Sequence, residues 1–159
     1  MKVRIAGVVL VLALAVAVPS VAHAGSLKHF RHALAQRINH YRAVHGRHSL
    51  RVKIHLRQAA QAHSGDMAKH HMLSHSASTG ASWITRIRYW GYRGTYIGED
   101  LAAGSMTAKG VMRMWRASPE HNANLLSGHY RSVGLGVARG RLRGTSRGGT
   151  GARPGGDRP

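Results

Sequence analysis

A helix-dominated α+β fold is what this sequence predicts, and three stretches predict it. Leu27, Phe30, Leu34, Ile38 and Tyr41 recur at spacings of three and four, one face of an amphipathic core helix ending near Gly46. Ser118-Pro119 opens another helix: the serine can accept from a free backbone N–H and proline suits the first helical position, so Glu120 and His121 fall in the first turn. Gly128 then serves as a stop, and Val133, Leu135 and Val137 alternate as a half-buried strand does.

The remaining elements follow in chain order. Lys2 and Arg4 precede an apolar run from Ile5 to Val18, then Pro19 and the small-x-small signal Ala22-His23-Ala24. Residues 1–24 read as an export signal, the apolar run being shorter than the roughly twenty residues a spanning helix needs. A second helix is predicted over Ile54–His71, where Ala59, Ala60, Ala62, His63, Met67 and Ala68 give high propensity and a small-residue packing face. His70 and His71 close it and are assigned to capping and solvation. Ser74-His75-Ser76 follows in a polar loop, and Ser82 caps a short helix with Trp83, Ile84, Ile87 and Trp90, ended by Gly91. In residues 96–104 the adjacent Glu99 and Asp100 interrupt an apolar segment bounded by glycines. Two carboxylates in an apolar frame are costly, so this stretch reads as an exposed turn or as acids at a helix terminus. A helix over Thr107–Ala117 presents Val111, Met114 and Trp115.

Composition narrows the chemistry. The formal net charge is +19, and loss of Lys2 and Arg4 with the leader leaves +17. The absence of cysteine removes disulfides, thiol nucleophiles and thiolate metal sites together. Among thirteen histidines any single one is weak evidence for a site, whereas the five acids, Asp66, Glu99, Asp100, Glu120 and Asp157, are the scarcer signal. Residues 139–159 are mostly Gly and Arg without apolar period and read as a disordered, polycationic tail; no aromatic ring is interleaved to stack on bases.

The ordered set Ile38-Asn39-His40-Tyr41-Arg42, Ala59-Ala60-Gln61-Ala62-His63, Leu73-Ser74-His75, Gly98-Glu99-Asp100-Leu101, Trp115, Ser118–Leu126 and Val133-Gly134-Leu135-Gly136-Val137 resembles the CAP superfamily, or SCP domain, in its short cysteine-free bacterial form. The resemblance spans about residues 33–138. It implies an α-β-α sandwich with a small antiparallel sheet between helical layers, so residues 25–138 are the expected domain. It also implies a cleft lined by two histidines and two glutamates in which a divalent metal, usually zinc, can sit. Carried over by motif, the first histidine is His75, the glutamate is Glu99 and the second histidine is His121. The fourth position is Ser118 here, and Asp100 stands where the family has asparagine. Family members continue into one more strand, whereas Arg139-Gly140-Arg141 breaks off; the resemblance thus implies a missing sheet edge beside Val137.

Two neutral imidazoles with a carboxylate are suitable zinc ligands, and Glu99, if not a ligand, could orient one imidazole. The function expected is an exported, more binding than enzymatic module at the cell envelope or outside it, with an apolar, glycan or protein ligand and a possible metal on His75 and His121. The alternatives are a metal-assisted hydrolase with Glu99 as general base, and charge-driven binding of anionic polymers.

Overall fold

The computed structural model describes residues 7–14, 23–105 and 107–140. Its elements are β1 (Gly7–Leu14), α1 (His23–Val44), β2 (Arg51–Val52), α2 (Ile54–His70), α3 (Trp83–Tyr89), β3 (Glu99–Ala102), α4 (Ala108–Ala117), α5 (Pro119–Leu126) and β4 (Ser132–Arg139). One sheet of order β2-β4-β1-β3 separates two apolar cores, which gives the expected sandwich. On one side Leu34 and Ile38 of α1, Val111 and Trp115 of α4 and Leu125 of α5 pack with Val133, Leu135 and Val137. On the other, Leu56, Ala59, Ala60 and Met67 of α2 meet Ile87 and Leu101.

Every strand pair among the described residues is parallel, which corrects the antiparallel expectation. The reason is connectivity: at least one helix separates each strand from the next, and such crossovers return the chain in the same direction without a hairpin. A second correction concerns β4. It was expected to be half-buried, yet Ser132–Val137 is buried throughout. Its odd-numbered apolar side chains enter one core, while a Cβ on Gly134 or Gly136 would collide with the backbone of α2 at Leu56 or Ala60. Glycine therefore lets α2 lie directly on the strand. The edge beside Val137 is also covered: β1 pairs along β4, with Leu12 opposite Val137, and pairs with β3 on its other side. Part of the segment expected to leave as an export signal is thus a strand of the sheet, and α1 runs across the expected cleavage point. The tail beyond residue 140 lies outside the described residues.

Capping sets the helix boundaries. The Ser82, Thr107 and Ser118 side chains accept from Thr85, Gly110 and His121 backbone N–H groups, respectively, and Pro119 is the first residue of α5. His71 ends α2 in the left-handed conformation at φ 57°, its N–H bonded to Met67 O. Gly91, at φ +86°, follows α3. Ser127 rather than Gly128 closes α5, its N–H returning to Asn124 O. In α4 Met112 is buried and Met114 exposed, the reverse of the face first assigned to the methionine.

One buried cation ties these parts together. The Arg42 guanidinium is fully buried and donates to the carbonyls of His48, Leu125, Ser127 and Tyr130. It satisfies carbonyls left free at the end of α5 and in the turn before β4. Burial pushes its pKa down, but a guanidinium remains charged.

Candidate functional site

The scarce acids organise the site. Glu99 and Asp100 are not in an exposed turn: both lie in β3 and both are buried. Successive strand side chains point to opposite faces, so the two carboxylates have separate surroundings.

Glu99 has a side-chain partner on each oxygen. His75 Nδ1 lies 2.9 Å from Oε1, and Arg86 Nη2 donates to Oε2 at 2.7 Å. Arg86, on α3, also donates from Nη1 to His75 O at 2.7 Å and to Ala81 O, so one guanidinium fixes the carboxylate and the loop that carries the imidazole. Burial raises the Glu99 pKa and the Arg86 charge opposes that rise. The side chain of Glu99 is 2 % exposed while that of His75 is 54 % exposed; the pair joins a buried anchor to an accessible ring.

A second histidine supports the same loop. His63 of α2 is buried and donates from Nε2 to Ser74 O at 2.8 Å. Burial, with the Arg86 charge nearby, lowers its pKa to about 4, so it is neutral near pH 7 and its Nδ1 is buried without a hydrogen-bond partner.

Asp100 is held differently. Asn124 Nδ2 donates to its Oδ1 at 2.7 Å, and Tyr130 Oη donates to Asn124 Oδ1 at 3.3 Å. A Cβ on Gly98 would sit 2.5 Å from that Tyr130 hydroxyl, so only glycine leaves room for this chain of bonds. Oδ2 of Asp100 is buried without a partner, and burial raises the pKa to about 7.

His121 sits in the first turn of α5, half-buried. Burial lowers its pKa, with a further contribution from the charge of His75, while Glu120 acts in the opposite direction. The two histidines are therefore electrostatic neighbours. The structure brings His75 directly onto Glu99 and leaves Glu99 no free oxygen. Among the described residues no group of three or more His, Asp or Glu side chains converges to hold a metal.

The family model for the cysteine-rich secretory protein family, CAP, matches residues 35–145. The chain belongs to that family. This CAP chain is 25 % identical over 111 residues to the uncharacterized protein YkwD of Bacillus subtilis, covering 70 % of this chain and 43 % of that protein. Its fold is similar to an extracellular protein containing an SCP domain from Bacillus anthracis, with TM-score 0.66, 23 % identity, and coverage of 76 % of this chain and 42 % of that one. An outer surface protein of Borrelia burgdorferi gives TM-score 0.56 and 18 % identity over 72 % of this chain and 81 % of its own. This CAP chain thus spans less than half of its Bacillus relatives. No helix among the described residues is long and apolar enough to cross a membrane.

Arg86 was not anticipated as a site residue. The signal was available in principle: with acids so scarce and cations abundant, a buried glutamate needs a cationic partner, and Arg86 lies on α3 beside buried Ile87.

Proposed function

We propose that this CAP chain is an exported, non-enzymatic binding module whose cleft presents His75 and His121 to an apolar, glycan or protein ligand. The carrying observation is the buried Glu99 carboxylate held between Arg86 and the exposed His75 ring. That arrangement orients a recognition group and leaves its Nε2 outward of the carboxylate. Support for export comes from the extracellular and outer-surface descriptions of the two structural neighbours.

The donor chemistry of two imidazoles suits a divalent ion such as zinc as an exchangeable guest. His75 through Nε2 and His121 would hold it, with Glu99 orienting the first imidazole from behind, an arrangement common among metal-binding histidines. Two protein donors suit loose binding with positions left open to water.

Thermal unfolding of the full chain with and without zinc tests the cleft. At a zinc concentration about 100 times Kd the folded state gains about 2.7 kcal/mol, a shift on the order of 10 °C, and His75→Ala/His121→Ala abolishes it. A shift that survives the double variant places the ion elsewhere. Ester or peptide turnover lost in Glu99→Gln would overturn the non-enzymatic reading.

A further inference from the structure

A second concave surface lies away from the cleft. Between α1 and α4 runs a groove of about 1050 Å³, lined by Arg37, His40, Lys109, Arg113 and Arg116 and by no carboxylate; His75, Glu99 and His121 take no part in it. Three of the described acids are held elsewhere and the fourth lies outside the groove lining: Asp66 accepts from Ser78, Glu99 from Arg86 and Asp100 from Asn124, and Glu120 is not among the lining residues. Arg37, Lys109, Arg113 and Arg116 are exposed and no carboxylate lines the groove with them, so an external anion is their natural counter-charge.

The spacing narrows its shape. Lys109, Arg113 and Arg116 follow one another at four and three residues along one face of α4, and the helical rise separates the first two by about 6 Å along the axis. Arg37 and His40 form a matching row three residues apart on α1. The row of three cations on α4, with Arg37 across an open groove, suits a linear chain of regularly spaced charges better than a single small anion. The groove's aromatic ring, Tyr41, is covered by the Arg116 guanidinium at 4.7 Å and makes no stacking platform for a base.

We propose that the α1/α4 groove binds the backbone of a linear phosphodiester polymer, reading charge and spacing rather than bases. Binding of a fluorescent short oligothymidylate and of an abasic oligodeoxynucleotide of the same length tests this, using the full chain at several salt concentrations. The two probes are expected to bind alike. Arg37→Ser/Lys109→Ser/Arg113→Ser weakens both at least tenfold at about 50 mM salt and makes the salt dependence shallower by about 2 in log–log slope. The charge-matched Arg51→Ser/Lys53→Ser/Lys69→Ser and deletion of 141–159 each leave the Kd within about threefold. Circular dichroism checks both triple variants, and the single Arg113→Ser, expected to weaken binding several-fold, serves if the groove triple variant does not fold. Equal losses in groove and control variants, or loss only on deleting 141–159, would overturn the groove in favour of diffuse or tail charge. A tenfold preference for oligothymidylate over the abasic chain would overturn the backbone reading in favour of base recognition.

Discussion

Glu99 and Asp100 are adjacent carboxylates in one buried strand, and the sequence makes two different objects of them. Glu99 is held by a guanidinium and an imidazole, one on each oxygen. Asp100 has a single amide donor on one oxygen and nothing on the other. Burial raises the pKa of both, but only Glu99 has a cation to hold its charge, and Asp100 is carried to about 7. A buried acid becomes a charged anchor where a cation meets it and a group that titrates near neutral pH where only an amide does. The first arrangement serves the accessible ring of His75; the second ties β3 to α5.

The largest effect is expected from what both carboxylates share. β1 pairs with β3 at both positions, Val9 opposite Glu99 and Leu10 opposite Asp100, and also runs along β4. A chain starting at Gly25 leaves both strand edges unpaired, so Tm should fall by more than about 10 °C and amide exchange should quicken at residues 99–102 and 132–139. An unchanged Tm would show that β3 and β4 hold without β1. Next, Arg86→Met strands the Glu99 charge and should cost about 3–5 kcal/mol in denaturant unfolding, whereas Arg86→Met/Glu99→Leu, which removes the charge as well, recovers much of that loss.

Asp100→Asn should act in the opposite direction. A carboxyl whose folded pKa lies above its unfolded value binds more protons when folded, so its contribution to stability falls as pH rises from about 4 to about 7. The asparagine variant should therefore be about 2–3 kcal/mol more stable than the parent at pH 8, the gap narrowing as pH falls toward 4. His63 tilts the parent curve the other way: its folded pKa of about 4 means stability is lost as pH falls from about 6.5 to 4. The smallest effect is expected at the exposed end of the pair, where His75→Ala should cost under about 1 kcal/mol in the same unfolding assay.

Most helices were legible in the sequence because their signals are local. Ser82 and Ser118 could be read as caps, and the spacing of Leu34 and Ile38 showed the core face of α1. The buried state of Glu99 and Asp100 was not legible, because their partners lie 13 and 24 residues away on other helices and an exposed turn is the cheaper local solution. Burial of β4 on both faces was missed for a related reason: the alternation of Val133, Leu135 and Val137 with glycine looks half-solvated until α2 is laid on Gly134 and Gly136. The apolar run at residues 5–18 cannot be assigned by periodicity alone, since a short continuous run fits either a leader or a buried strand. The motif resemblance carried His75, Glu99 and His121 together, while Arg86 and Arg42 act through tertiary contacts that no spacing reveals.

Arg86-bound Glu99 orients His75 for recognition, and the tautomer of His75 tests this most directly. Nitrogen-15 NMR of the full chain near pH 8 should show a neutral ring protonated at Nδ1 with Nε2 bare, and Glu99→Gln should disturb that ring more than any other histidine. A ring protonated at Nε2, unchanged in Glu99→Gln, would show that Glu99 does not orient it.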